Sequence, residues 1–144
     1  MPEQDDSLQA LNRAIWDSNE VLVSASTTSK LHKDTLTLNR AKLFSIKRSP
    51  LGNIEDMSVL IEDVLNIGAT LGPVSGMIKI MTNFNAPGAP YVIGPFKKKD
   101  TIKLKRIIQG YIIALDRKIN LNMTPTDELI TRLYELGVDD HSIQ

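Results

Sequence analysis

The sequence predicts an all-α protein: long heptad-patterned helices, in a coiled coil or helical bundle, followed by a Pro/Gly-rich linker and a small two-helix C-terminal unit. Three observations carry that expectation. Apolar residues recur at heptad spacing through the N-terminal half. Aromatic residues are only 5% of a chain that is 42% hydrophobic, a balance suited to interdigitating aliphatic side chains. The C-terminal third carries capping residues at the ends of two periodic apolar stretches.

With Leu8 at an a position, the next a positions are Ile15, Leu22, Ser29, Leu36 and Leu43, and the d positions are Leu11, Ser18, Ala25, His32, Asn39 and Ile46. At about 1.5 Å per residue this stretch corresponds to a helix of roughly 60 Å. A break is expected at 49–53, where Pro50 opposes helix at Ser49 and Asn53 can cap a new start with Glu55 and Asp56 in its first turn. The second helix would place Met57, Val64, Leu71 and Ile78 at a, and Leu60, Ile67, Val74 and Met81 at d, in the same heptad frame. A continuous rod and an antiparallel hairpin both satisfy that frame. Gly68, Gly72, Pro73 and Gly76 would weaken the helix by about 1 kcal/mol per Gly and about 3 for the Pro. The seam is therefore expected to be buried against a partner.

Residues 1–84 thus read as an oligomerisation or interaction region, 85–96 as a Pro/Gly-rich linker, and 97–144 as a basic helical unit. In that unit Asp100 can cap a helix over 101–119 with Leu104, Ile107, Ile108, Tyr111, Leu115 and Ile119 on one face. A last helix would use Thr124 as cap, Pro125 as first residue, Asp127 as box partner and Gly137 as left-handed stop.

Seventeen basic and seventeen acidic residues give zero formal charge, so attraction to polyanions must be local. The one basic concentration is Lys97, Lys98, Lys99, Lys103, Lys105 and Arg106, of which Lys99, Lys103 and Arg106 share a helical face; weak nucleic-acid or polyanion contact is the function it would serve. The absence of cysteine excludes thiol nucleophiles, disulfides and thiolate metal sites. His32 and His141 have no acidic or sulfur ligands at metal spacing, and Glu62 and Asp63 are adjacent and not stacked on one helical face. No metal, cofactor or catalytic residue is expected. The polar start Met1-Pro2-Glu3-Gln4 and the Gly, Pro and charge interruptions between Met57 and Phe84 argue against an export signal or membrane span, and favour a cytoplasmic site.

Gly76-Met77-Ile78-Lys79-Ile80-Met81, followed shortly by Pro87-Gly88, resembles the end of the multimerisation coil of paramyxovirus-type phosphoproteins. That resemblance implies a tetrameric coil, a flexible linker and a small helical domain that docks on nucleoprotein. The expected function is non-enzymatic: a protein–protein interaction and assembly module, an oligomerising or adaptor subunit of a larger complex. Its interface would be Leu8, Leu11, Ile15, Leu22, Leu36, Leu43, Ile46, Met57, Leu60, Val64, Ile67, Leu71, Val74, Ile78 and Met81. The alternatives are a polyanion-binding accessory factor, such as a viral polymerase cofactor, and a self-contained helical bundle with an unrecognised activity.

Overall fold

The computed structural model describes residues 20–29, 33–85 and 88–138. Among the described residues, the region expected to be coiled coil is built of strands. Four of them, β1 (Val21–Ser26), β2 (Thr35–Asn39), β3 (Lys42–Arg48) and β4 (Ile54–Leu60), form an antiparallel sheet in chain order. A 3-10 turn over Ile61–Asp63 leads to a second antiparallel sheet of β5 (Val64–Leu71), β6 (Ser75–Thr82) and β7 (Tyr91–Lys97). Two helices follow, α1 (Lys98–Asp116) and α2 (Thr126–Val138).

The strands obey a period of two. In β6, Gly76, Ile78, Ile80 and Thr82 are buried and alternate with Met77, Lys79 and Met81. In β3, buried Leu43 and Ser45 alternate with more exposed neighbours. The heptad frame imitated this order through a bulge. Leu65 is the extra residue where the β5–β6 register shifts between Val64 and Asn66, so Val64 and Ile67, three apart, both turn inward. A similar irregularity between Val21 and Val23 buries both Leu22 and Val23.

Of the residues that would weaken a helix, Gly72 and Pro73 form a turn, while Gly68 and Gly76 lie inside β5 and β6. Gly72 donates to the Ser75 carbonyl at 2.8 Å in the β5–β6 hairpin, with Pro73 at its tip. The break at 49–53 is the β3–β4 turn, where Ser49 N–H meets the Asn53 carbonyl at 2.9 Å and Gly52 takes φ +87. At the β2–β3 turn the Asn39 side chain accepts from the Ala41 and Lys42 amides. Strands thus replace both expected N-terminal helices, the second of which its glycine and proline content already disfavoured.

The predicted coiled-coil interface is corrected accordingly. Leu8, Leu11 and Ile15 lie outside the described residues. Leu22, Leu36, Leu43, Val64, Ile67 and Ile78 are core residues on β1, β2, β3, β5 and β6. Ile46, Met57 and Met81 are half-buried on strands, while Leu60, Leu71 and Val74 are exposed. No single seam unites them. The stretch that carries the resemblance, Gly76–Met81, runs through β6 and is not the end of a coil. Within the expected linker, Tyr91 opens β7, an edge strand that accommodates a cis Gly94–Pro95 peptide bond at a register shift opposite β6.

The helices occupy 98–116 and 126–138, and one core cluster extends from Leu22 on β1 to Leu133 on α2. Leu104, Ile107, Ile108, Tyr111 and Ala114 of α1 belong to it, whereas Leu115 and Ile119 are exposed. Gly137, expected to stop the last helix, is inside α2. A Cβ there would lie 1.9 Å from the Arg106 carbonyl oxygen, and one at Gly110 would lie 1.9 Å from that of Leu133. The two glycines let the helix backbones touch.

Arg40, at the tip of the β2–β3 hairpin, joins the sheet to the helices. Its Nη1 donates to the Leu121 carbonyl at 3.1 Å, and its Nη2 to the Thr124 carbonyl at 2.6 Å and the Thr126 hydroxyl at 3.1 Å. Tyr111 on α1 donates its hydroxyl to the Arg40 carbonyl. Thr126 in turn donates to the Glu20 carboxylate, bringing the start of β1 to the start of α2.

Candidate strand-docking groove

The three-stranded sheet has two edges, and the chain treats them differently. Along β7 the carbonyls are occupied. The Lys47 ammonium donates to the Val92 carbonyl at 2.9 Å, and the Thr28 amide to that of Pro95 at 2.9 Å. Tyr91 anchors the same edge, sharing a 2.6 Å hydrogen bond with the Ser45 hydroxyl beneath Lys47, whose nitrogen is 4.3 Å from the ring centroid. Burial holds the Tyr91 phenol above its ordinary value, and Glu55 and Asp34 push the same way against the opposing Ser45 bond.

Along β5 the edge is open. Antiparallel partners alternate between bonded and non-bonded pairs, and the Gly72–Ser75 bond sets the phase. Thr70–Met77 and Gly68–Lys79 are then the bonded pairs, so Ile67, Ala69 and Leu71 turn their N–H and C=O groups away from β6. The Ile67 amide confirms that phase by bonding the Asn66 side chain at 2.8 Å. The Ala69 and Leu71 amides face outward, and no bond to them arises outside the strand ladder among the described residues.

Helix α1 flanks this edge. Its Thr101 side chain lies against Gly76, next to Leu71, which puts the helix start at the hairpin end of β5. Between strand and helix lies an open groove of about 890 Å³, with Leu65, Ala69 and Leu71 on the strand side and Lys105, Gln109 and Ile113 on the helix side. Ile112, Asp116 and Arg117 complete the helix wall. Leu65 and Leu71 are 58% and 47% exposed, large apolar side chains that one more strand would cover.

Gln109 is the distinctive member. It is only 8% exposed, lines the groove, and its side chain makes no hydrogen bond with any described residue. Its carboxamide atoms are not among the buried unpaired ones, so they open onto the groove and offer a donor and an acceptor to whatever lies there. Set beside free main-chain groups, it is matched to a peptide.

The predicted basic patch is divided. Lys97, Lys98, Lys99 and Lys103 are exposed at the start of α1, Lys105 lines the groove, and Arg106 is turned to α2, donating to the Tyr134 hydroxyl at 2.6 Å. Glu62 is exposed, while Asp63 accepts from the Asn83 side chain at 3.5 Å. His32 and His141 lie outside the described residues, among which no group of three or more metal-ligating side chains occurs. No described helix is long and apolar enough to cross a membrane. Sequence reasoning overlooked Gln109 and β5. The available signals were a lone polar residue between Ile108 and Gly110 on an apolar helix face, and the alternation of Ile78, Lys79 and Ile80. Comparisons with protein-family models, curated proteins and solved structures find no match.

Proposed function

We propose that this chain is a non-enzymatic protein-interaction module that receives an extended peptide segment of a partner as an added strand on β5, beside α1. The observation that carries the reading is the open main-chain edge of one groove: the outward amides of Ala69 and Leu71, beside the Gln109 carboxamide that faces the same space without a protein partner among the described residues. Main-chain bonds would supply affinity, and the α1 side chains would supply selection. The test uses the full chain and a library of seven-residue extended peptides, read by fluorescence anisotropy. Ala69→Pro removes an outward donor without touching a β5–β6 bond, and Gln109→Leu removes the carboxamide at similar volume. Both variants are expected to keep the wild-type circular dichroism spectrum and to lose binding at least about tenfold, the loss of a well-made hydrogen bond. Peptides that bind both folded variants as well as wild type would refute the groove.

A second copy is the other reading, favoured by β4. The Ser49–Asn53 bond sets the phase in which Ile54, Asp56, Ser58 and Leu60 face outward from β3. A two-fold axis at Met57 would pair Ile54 with the second copy's Leu60, and Asp56 with its Ser58. Two exposed apolar residues, 68% and 41% accessible, would then cover one another without opposing like charges. The chain has no cysteine, so Met57→Cys alone reports this register. Oxidation should yield a disulfide dimer, and Cys at position 55 should not. Equal cross-linking at both positions, or none at 57, would dismiss the pairing.

A further inference from the structure

The side chains of α1 along the groove define what sort of peptide it selects. Resting on the strand-docking reading above, we infer that the groove prefers an extended segment with an acidic residue, a hydrogen-bonding residue and an aliphatic residue at alternate positions: acidic–x–polar–x–aliphatic.

Helix and strand spacings match. Residues four apart on a helix rise about 6 Å along its axis, at about 1.5 Å per residue. Residues two apart on a strand advance about 6.6 Å, at about 3.3 Å per residue. A strand laid on β5 therefore brings every second side chain opposite successive turns of α1. Those turns offer Lys105, then Gln109, then the adjacent Ile112 and Ile113. Side chains that alternate the other way face outward and are not selected.

Each turn asks for a different chemistry. Lys105 is half-buried in the groove wall and has no ion-pair partner among the described residues, so a carboxylate opposite it is favoured and an ammonium disfavoured. Gln109 presents a donor and an acceptor from a nearly buried position, which suits Thr, Ser or Asn. Ile112 and Ile113, with Leu65 across the groove, form an apolar floor for Leu, Ile or Val. At the far end Asp116 and Arg117 carry opposite charges and together impose little preference on a fourth position.

The test uses the full chain and two end-blocked peptides, Gly-Asp-Val-Thr-Val-Leu-Gly and the same residues in reverse order, which covers both strand directions. One of them is expected to bind. Replacing its Asp by Lys should weaken binding to the wild type about tenfold, and Lys105→Glu should reverse that preference. Thr→Val in the peptide should cost affinity for wild type and not for Gln109→Leu. If peptides bind, and Ala69→Pro abolishes that binding, yet Asp and Lys peptides bind alike to wild type or the preference survives in Lys105→Glu, the selectivity inference is overturned while strand docking stands. If neither peptide nor any member of the library binds, the docking reading itself fails and the inference goes with it.

Discussion

Arg40 shows how one side chain can fix the relation between a sheet and a pair of helices. Its guanidinium meets two carbonyls and a hydroxyl of the 121–126 segment, and its own carbonyl accepts from Tyr111. Arg40→Ala strands those carbonyls and is expected to lower stability by about 3 kcal/mol, measured by denaturant unfolding. Lys at the same position cannot span three acceptors and should restore only part of the loss. Tyr111 is 7% exposed, and burial raises its phenol above the ordinary 10.0 while Arg40 pulls the other way. A raised folded value means stability is whole below the unfolded value near 10 and declines as pH climbs through the folded one. Thermal melts should therefore fall above about pH 10, and Tyr111→Phe should flatten that fall while lowering stability at neutral pH through the lost bond. Equal alkaline slopes in both proteins would contradict this. None of these contacts was legible in the sequence, because Arg40 is a lone cation in a turn and its partners lie more than seventy residues away.

Among the elements, the helices were readable and the strands were not. The expected caps were misplaced by one to three residues, since Asp100 lies inside the first turn of α1 behind Lys97 and α2 begins at Thr126, but the i, i+3, i+4 apolar pattern of α1 spans enough turns to reveal the helix. The N-terminal half misled because short strands with bulges at Leu22 and Leu65 produce apolar spacings of three and four. Low aromatic content reinforced the error. What discriminated was the density of β-branched residues in β5 and β6, with Gly72 and Pro73 between them, a hairpin signature. Gly137 was misjudged for a related reason: a glycine near a helix end serves equally as a stop or as a point of contact, and only the position of Arg106 decides. Gly110→Ala and Gly137→Ala should each cost about 3 kcal/mol by forcing the helices apart, whereas Gly68→Ala, with nothing within 4 Å, should stay within about 0.5 kcal/mol. Urea melts of the three variants compare them directly.

For the whole molecule, sheet topology leaves two strand edges unequally protected on one three-stranded sheet. The β7 edge is closed by Lys47 and Thr28, and the β5 edge is open beside a helix whose Gln109 lacks a partner. A fold under pressure to remain monomeric and inert would blunt both edges. The candidate site was illegible in the sequence because it is made by a main-chain phase, set at the Gly72–Ser75 turn, and by a helix arriving from more than thirty residues downstream. Amide hydrogen exchange of the full chain, with and without the Asp-Val-Thr-Val-Leu peptide or its reverse, decides whether a strand docks on β5. Slowed exchange at Ala69 and Leu71, with unchanged exchange at Gly68 and Thr70 already bonded to β6, is the expected result. Bound peptide that leaves the Ala69 and Leu71 amides exchanging at their free rate would contradict it.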